Sequence, residues 1–512
     1  MTTTPINGPD AHTTGPGRAR ADRTDPDNAD FDVIVVGAGY GGATAAALLA
    51  DAGRRVALLD RTPRAGGKTQ TLHRRGYRYE MFGAVGIPAL NSRFHELVDV
   101  LGLGDRVELL IPEGPKAAVH YRPPEGGWRT LRSALQQTGT EEELAELARV
   151  FGATGDDIAK LGGFYLHILG LTDDEVAGLD EVGFLDYLAP FGLPAGLASQ
   201  ILATCNMLFV VPVDRLAASE AVLVLRNMVL GGAGRFHRGG YGQVAEACAE
   251  LVAERGGAWM ASTRVRRIIV EGDRAVGVDT DKGDLRAPVV VSSAGIQPTV
   301  LSLAGAEHFP ADYVARVRGL EPSWAIAGVR FVLDARVFDA ALIPVFSDAS
   351  WLDSGRFAAI EAGELPEVPL IAVDVASELD PGLVAEPGHQ VANIQVFVAA
   401  DPTGDNGAPL VAHAREVLDE LYPGLRAHTL RTEPFGPRQI SRMTRDSAVP
   451  GAGGEAVGLA QVVGQVGRHK PDARTPLPGL YLVGCDAGGR GSGTHQAVDS
   501  GFNVAAMVAA DR

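Results

Sequence analysis

The sequence predicts an α/β fold, because strand-like and helix-like segments alternate along most of the chain. Near the start, the β-branched run FDVIVV over residues 31–36 is typical of a buried parallel strand. A glycine turn, an Ala-rich helix over 42–53 and the strand RVALL over 55–59 follow, and this arrangement is a βαβ unit. A strand over 479–483 and a helix over 497–510 are predicted at the far end.

The pattern between these two ends is mixed and indicates a second region of α+β character. Helices are predicted over 141–150, 161–171, 241–255 and 408–421, with two apolar helices within 197–230. Strands are predicted over 264–271, 275–279, 289–293, 325–333, 370–375 and 391–398.

Composition excludes several classes of protein. The chain has 512 residues, 46% hydrophobic and 21% charged, which is typical of a globular protein with a sizeable core. Its net charge of −17 argues against nucleic-acid binding. Three separated cysteines form no CxxC pair and the histidines form no HxxH motif, so we predict neither disulfides nor a metal site, and a cytoplasmic location fits. No apolar run is long enough for a membrane helix, and residues 1–30 are predicted to be a disordered tail.

The first chemical motif is the GxGxxG run Gly37-Ala38-Gly39-Tyr40-Gly41-Gly42, which follows a predicted strand and opens a helix. In this context Gly37 permits the tight turn, Gly39 lets the backbone approach a pyrophosphate, and Gly42 allows close packing of helix on strand. The pyrophosphate would lie at the helix N-terminus, where unpaired N–H groups and the helix dipole favour an anion. The motif therefore predicts a Rossmann-like dinucleotide site.

Two further features lie just after this unit. Asp60 ends the second strand, where a carboxylate accepts hydrogen bonds from a ribose. Gly66-Gly67-Lys68 follows, so that the glycines permit close backbone approach and Lys68 offers a phosphate or ribose contact. The alternative interpretation is an ordinary glycine turn with surface charges.

A second backbone binding site is predicted near residue 484. The strand GLYLV delivers Gly484, Cys485 and Asp486, and a glycine-rich run then leads to a helix that starts near Thr494. A protein that binds only NAD has no need of such a return. A flavin does, because its ribitol takes a carboxylate partner and its pyrimidine edge takes N–H donors from a helix end.

These motifs resemble the FAD-binding signature of the flavin amine oxidase superfamily, and the run GLYLVG…GSGTHQAVDSG resembles the phytoene desaturase-like (carotenoid desaturase-like) branch. The segment from Gly239-Gly240-Tyr241 to Val265 agrees with that resemblance. It implies noncovalent FAD and a Rossmann-like FAD-binding domain from discontinuous segments, with a substrate domain of mixed sheet and helices. The implied cofactor-binding residues are Gly37, Gly39, Tyr40, Gly41, Gly42, Asp60, Arg61, Gly67, Lys68, Gly83, Val265, Gly484, Asp486, Gly493, Thr494 and His495.

Domain boundaries follow from the same resemblance. We assign residues 31–110, 231–305 and 470–512 to the FAD-binding domain, and residues 111–230 and 306–469 to the substrate-binding domain.

Catalytic candidates lie just before and after Gly239-Gly240. We expect His237 to be a general base and Arg238 to anchor or polarise the substrate, because the resemblance places this approach beside the substrate cavity. Tyr241 is a third candidate, and Tyr79 and Glu80 are further options. The alternative is that His237 and Arg238 are solvated or structural.

The predicted function is an FAD-dependent dehydrogenase or desaturase that removes a hydride and a proton from a hydrophobic or cyclic small molecule, forming a C–C double bond. An amine or alcohol oxidase of the same fold and a redox-neutral flavin-dependent isomerase are the alternatives. The electron acceptor is left open between oxygen, a quinone and another carrier. Peripheral membrane contact is not favoured, and the sequence does not indicate an oligomeric state.

Overall fold

The structure is a computed structural model that describes residues 29–81, 92–135, 139–231, 235–443 and 451–511. The predicted tail, residues 1–30, lies almost entirely outside the described residues. The strands are β1 (Val33–Val36), β2 (Val56–Leu59), β3 (Thr71–Arg74), β4 (Tyr77–Glu80), β5 (Leu109–Leu110), β6 (Ala117–Arg122), β7 (Arg129–Ser133), β8 (Phe236–His237), β9 (Ala258–Met260), β10 (Val265–Glu271), β11 (Arg274–Thr280), β12 (Gly283–Arg286), β13 (Val289–Ser292), β14 (Ala325–Leu333), β15 (Leu342–Ser347), β16 (Ile371–Asp374), β17 (Gln390–Val398), β18 (Thr429–Phe435) and β19 (Leu480–Leu482).

The α-helices of the described residues follow the same chain order. They are α1 (Tyr40–Asp51), α2 (Arg93–Val100), α3 (Glu141–Phe151), α4 (Gly155–Gly170), α5 (Asp173–Ala177), α6 (Phe184–Leu188), α7 (Ala195–Phe209), α8 (Ala218–Leu230), α9 (Gln243–Glu254), α10 (Ile296–Pro298), α11 (Ala311–Arg318), α12 (Ser354–Glu361), α13 (Ala408–Leu421), α14 (Pro437–Met443) and α15 (Gly493–Ala510).

One sheet is parallel and is assembled from distant parts of the chain, in the order β19-β13-β1-β2-β9. Strand β1 reads VIVV and is buried along its whole length, as expected where both faces of a parallel sheet are covered. Its Val33 pairs with Val56 on one side and Val289 on the other. Helices α1, α2, α9 and α15 pack on one face, and the three-stranded sheet β10-β11-β12 covers the other. The discontinuous assembly and the α/β fold class that the sequence predicted are both present.

A second sheet has seven strands in the order β18-β14-β17-β16-β15-β6-β7. Its pairs are antiparallel except for β15 with β6, which run parallel. The central strands β14 and β17 are buried at every position, because α13 packs on one face while α7 and α8 pack on the other. This sheet and its helices form the wall that faces the carboxyl end of the parallel sheet.

The predicted element bounds differ from the structure mostly at chain turns. Helix α1 begins at Tyr40 rather than Gly42, and α15 begins at Gly493 rather than Ala497, so both helices start inside their glycine runs. Strands β3, β4, β5, β6, β7, β8, β9, β12, β15 and β18 were not predicted. Many of them carry polar residues that alternate weakly with apolar ones, as in TLRTEPF of β18. None of the helices in the described ranges is long and apolar enough to cross a bilayer.

Candidate functional site

A large cavity of about 1380 Å³ lies between the carboxyl ends of β1, β2 and β13 and the helices α7 and α8. Ligands of open α/β sheets bind at this edge, where strand connections diverge. We call the part lined by Gly37, Gly39, Gly41, Gly484 and Gly493 the glycine end. The part lined by Met207, Leu208, Leu223, Val224 and Met228 is the apolar end.

The N-terminal half of the glycine end is built from backbone. Helix α1 begins after Gly39, no side chain caps it, and Gly39, Tyr40 and Gly41 line the cavity. Its first N–H groups are therefore available to an anion. Gly37 has a φ of +94°, and a Cβ on Gly42 would lie 2.0 Å from the Gly37 carbonyl oxygen. Gly42 thus serves packing behind the cavity wall, as the motif predicts, while the other glycines face the ligand space.

Asp60 lies at the carboxyl end of β2 and lines the cavity. Its Oδ2 accepts from the Ala38 N–H at 2.8 Å, and its Oδ1 accepts from the N–H and hydroxyl of Thr62 at 2.8 and 2.7 Å. Asp60 therefore joins the glycine turn to the end of the second strand. Carboxylate oxygens have further lone pairs, so the group keeps capacity for a ribose hydroxyl.

The basic residues of this end are already paired in the structure. Lys68 lines the cavity, and its Nζ lies 2.9 Å from Oε1 of Glu455, whose side chain is 2% exposed. Arg61 also lines the cavity and donates to the Arg442 carbonyl oxygen. The predicted contact of Lys68 with a phosphate or ribose would have to compete with this buried ion pair.

The C-terminal half of the glycine end is formed by the turn after β19 and by the start of α15. Gly484 has a φ of +114°, and a Cβ on Gly41 would lie 2.7 Å from the Gly484 Cα. The two halves therefore cross at backbone distance, and only glycine fits there. Asp486 is 4% exposed and accepts from the Ile296 N–H at 2.9 Å and the Leu459 N–H at 3.1 Å.

The N-terminus of α15 also opens into the cavity. Its capping residue Ser492 makes no side-chain cap, and Gly493, Thr494 and His495 line the cavity. Burial, with a smaller contribution from the charge of His95, lowers the pKa of His495 to about 4. The imidazole of His495 is therefore neutral near pH 7.

An ion pair with a buried acid connects the glycine end to the apolar helices. Glu220 of α8, with a side chain 2% exposed, lies 3.1 Å from Nη2 of Arg490 and accepts from the Gly491 N–H at 3.2 Å. Arg490 lines the cavity within the glycine-rich loop. A buried acid on helix α8 thus holds the loop that precedes α15.

The apolar end takes its lining from two neighbouring helices. Met207 and Leu208 come from α7, and Leu223, Val224 and Met228 come from α8. The helices pack against Ile326, Phe346 and Phe397 of the seven-stranded sheet in one apolar cluster. Unlike the glycine end, this end is shaped by side chains and offers few hydrogen bonds.

The sequence pattern of the family described as flavin containing amine oxidoreductase matches residues 40–320. The chain belongs to this family. Membership confirms the predicted resemblance to the flavin amine oxidase superfamily, and the family implies a flavin cofactor.

Several curated proteins are also similar to this chain. The human all-trans-retinol 13,14-reductase is 26% identical over 300 residues, which are 52% of this chain and 47% of the reductase. The chain therefore spans about half the length of the first curated relatives that it matches. The prolycopene isomerase of carrot chloroplasts is 26% identical over 544 aligned positions, covering 98% of this chain and 82% of the isomerase.

Solved structures support the same fold. An oxidoreductase from Methanosarcina mazei aligns with a TM-score of 0.68 over 92% of this chain and 99% of its own, at 18% identity. A triple mutant of putrescine oxidase aligns with a TM-score of 0.63 over 94% of this chain and 99% of its own, at 17% identity. At these identities the likeness shows the fold alone.

The structure brings together most of the residues that the sequence predicted to bind the family's flavin. Those lining the large cavity are Gly37, Gly39, Tyr40, Gly41, Asp60, Arg61, Gly67, Lys68, Val265, Gly484, Asp486, Gly493, Thr494 and His495. Gly83 lies outside the described residues. For each of these residues, contact with a cofactor remains a prediction.

His237 and Arg238 do not lie where we expected them. His237 is 0% exposed beneath Phe94, with ring centroids 4.9 Å apart, and it is not among the described residues that line the cavity. Burial lowers its pKa to about 3, so it is a poor base at neutral pH. Arg238 is half-exposed and pairs with Glu108, Nη2 to Oε1, at 2.9 Å. Neither residue is among the described residues that line the cavity, and the catalytic roles assigned to them stay predictions.

Tyr241 is the catalytic candidate that does line the cavity. Its ring stacks on Phe94, with centroids 6.0 Å apart, and its carbonyl oxygen accepts from the Tyr40 hydroxyl. Burial raises the pKa of Tyr241 above its usual range, so the hydroxyl keeps its proton at neutral pH. It can donate a hydrogen bond there but not act as a base.

The two further options lie behind that wall. Glu80 is 2% exposed, with Oε1 2.8 Å from the Tyr241 backbone nitrogen and Oε2 3.0 Å from the Thr71 hydroxyl. Burial raises the pKa of Glu80 to about 8. Tyr79 donates to Glu433 at 3.0 Å. Neither Tyr79 nor Glu80 is among the described residues that line the cavity.

Sequence reasoning missed one part of the cavity wall. This part follows β13, lies between the two halves of the glycine end and consists of Ser293, Ala294 and Gly295. The signal was present, since a β-branched run ending in small residues and a glycine repeats the pattern of β1 and its turn. Without the pairing of β13 with β1, nothing in the sequence placed this run beside the GxGxxG motif.

Proposed function

We propose that the cavity binds FAD noncovalently, with the pyrophosphate at the N-terminus of α1 and the flavin beside the N-terminus of α15. The main observation is that two helices, α1 and α15, both point an uncapped N-terminus into one cavity. The backbones of these two segments cross at Gly41 and Gly484, and we call this contact the glycine crossing. The cavity volume of about 1380 Å³ exceeds the roughly 300–1,000 Å³ of an ordinary small-molecule site, and this supports room for a substrate beside the cofactor.

Noncovalent attachment is supported by the state of the cavity's cysteine. Cys485 lines the cavity, but its thiol donates to the Gly493 carbonyl oxygen, with Sγ 3.2 Å from the oxygen. Cys205 and Cys248 are buried and free. The free thiols also support our proposal of a reducing, cytoplasmic location.

We propose that the substrate is a hydrophobic or cyclic small molecule that loses a hydride and a proton to form a C–C double bond. Bound flavin would accept the hydride, and a neighbouring base or solvent would take the proton. The chain's own part is to hold the hydrocarbon among Met207, Leu208 and Val224, to exclude water, and to orient the reacting carbon toward the glycine end. The protonated Tyr241 hydroxyl lines the same cavity and can donate a hydrogen bond to a polar atom of a bound molecule.

A redox-neutral isomerase is the second candidate. It is favoured by one observation, the alignment of prolycopene isomerase over 98% of this chain. The neutral His495 and protonated Tyr241 agree with this candidate as well, since neither is a strong base at neutral pH.

Two measurements test the proposal. Acid precipitation of the purified protein should release yellow FAD into the supernatant; colour retained in the pellet would contradict noncovalent binding, and a protein that binds no added FAD would contradict the cofactor. Under anaerobic conditions, a polyene substrate such as a retinoid or carotene should bleach the flavin and lose two hydrogens. Unchanged product mass would instead support the isomerase. Reoxidation by oxygen against a quinone then identifies the acceptor.

A further inference from the structure

Two buried glutamine side chains behind the glycine end have no hydrogen-bond partner among the described residues. Gln461 is 3% exposed and Gln496 is 1% exposed. The nitrogen and the oxygen of both side-chain amides are unpaired by protein. Buried amides are normally hydrogen-bonded, so four unpaired atoms in one place require a ligand with both donors and acceptors.

The same two side chains line a second, small cavity. Its volume, measured for the centre of a water molecule, is about 10 Å³, and a single water needs roughly 10–15 Å³ by this measure. Its other polar side chains are already engaged: Gln465 donates to the Glu321 and Ala460 carbonyl oxygens, and Lys470 donates to the Gly489 carbonyl oxygen. The unpaired groups that face this space are therefore the two amides.

We propose that this cavity is a binding site for one ordered water molecule that bridges the side-chain amides of Gln461 and Gln496. A water has two donors and two acceptor lone pairs, which match an amide oxygen and an amide nitrogen on each side. The bridge ties the segment around residues 459–465 to the first turn of α15. It does not depend on which cofactor fills the large cavity.

The position of this water gives it a supporting role. Cys485 and Asp486 line both cavities, so the water lies directly behind the wall of the glycine end. Gln496 follows His495 in α15, and Gln461 lies two residues beyond Leu459, whose N–H donates to Asp486. The bridge therefore joins the two segments that hold Asp486 and His495 in place.

A crystal structure of the full chain at about 1.8 Å resolution or better tests the site directly. We expect one isolated density peak at hydrogen-bond distance, about 2.7–3.2 Å, from an amide atom of each glutamine. An empty cavity, or amides that turn to pair with each other, would overturn the proposal.

A double-mutant cycle tests the bridge in solution. Gln461→Met and Gln496→Met each keep the side-chain volume but strand the other amide, so each should lower the thermal midpoint by a few degrees. The double variant should lose clearly less than the sum, because the cavity becomes apolar and the water is no longer needed. Gln390, which is equally buried but paired with Val337, Phe338 and Glu378, gives the control, since Gln390→Met should add to Gln496→Met without coupling. Additive losses for Gln461 and Gln496 would contradict the bridge.

Discussion

The two ends of the large cavity recognise ligands by different means. The glycine end presents backbone N–H groups at the starts of α1 and α15, and its shape is set by the absence of side chains at Gly41 and Gly484. The apolar end is shaped by whole side chains of α7 and α8. Backbone recognition suits a cofactor that a family shares, whereas side-chain recognition can change with each substrate. Substitutions at the two ends should therefore separate cofactor binding from substrate binding.

The largest effect is expected at the glycine crossing. An alanine Cβ at position 41 would lie 2.7 Å from the Gly484 Cα and 2.8 Å from its nitrogen, and neither backbone atom can move without shifting β19 or α1. Purified Gly41→Ala should therefore contain almost no flavin and should unfold at a lower temperature. Gly163→Ala is the control, because nothing lies within 4 Å of that position in α4. Normal flavin content in Gly41→Ala would show that the crossing is not needed.

A smaller loss of cofactor is expected at Asp60. In Asp60→Ala, the proposed ribose hydroxyls lose a charged hydrogen-bond acceptor. Such a hydrogen bond is worth about 1.5–3 kcal/mol, so FAD should bind roughly 10- to 150-fold more weakly. Titration of the apoprotein with FAD, followed by flavin fluorescence, measures this change. Asp60→Asn retains an acceptor for the Ala38 N–H and should fall between wild type and Asp60→Ala. Equal FAD affinity in all three proteins would show that Asp60 stabilises the glycine turn but does not bind the ribose.

The buried Glu80, which lies behind Tyr241, should make stability depend on pH. The pKa of Glu80 is raised from 4.5 to about 8 in the folded chain, so the folded state holds a proton that the unfolded state releases. Stability from this group is therefore complete at low pH and declines as pH rises from about 5 to about 8, by up to about 1.4 kcal/mol per pH unit. Glu80→Gln mimics the protonated acid and should flatten that decline by a few degrees in thermal midpoint at pH 8. Parallel wild-type and variant profiles would show that Glu80 is ionised in the fold.

The smallest effect is expected at the apolar end. Val224→Ala removes about two methyl-sized groups from the lining, and at roughly 0.8 kcal/mol for each buried group it should weaken binding of a retinol probe about 15-fold. Retinol fluorescence measures this loss, and FAD affinity should not change. Val229→Ala, on the exposed side of the same helix, is the matched control. A parallel fall in FAD affinity would mean that the two ends are not separate.

The sequence predicted the glycine end far better than it predicted the apolar end. Glycine turns after β-branched strands have local causes, so Gly37–Gly42 and Gly484–Thr494 could be assigned from the residues around them. The lining of the apolar end depends on which faces of α7 and α8 meet the seven-stranded sheet. That packing involves β15, which the sequence did not reveal because LIPVFS contains a proline within a short apolar run.

Two of the catalytic candidates could not be placed from the sequence for a related reason. His237 and Arg238 lie next to a predicted glycine pair, yet the backbone around them is set by the pairing of Leu109 with His237. Such pairing joins residues far apart in sequence, and no local pattern encodes it. The Glu220–Arg490 ion pair was invisible for the same reason, because its acid lies on an apolar helix of the opposite wall.

The strand order of the parallel sheet has a consequence for how the protein is made. Strand β1 leaves the ribosome long before β19 and α15, which complete its sheet and cover α1 and lie much later in the chain. At about 5–20 residues per second, the early βαβ unit waits tens of seconds for its partners. During that time its apolar helix face is open to aggregation, so we expect the nascent chain to rely on chaperones and the yield to be sensitive to the speed of translation.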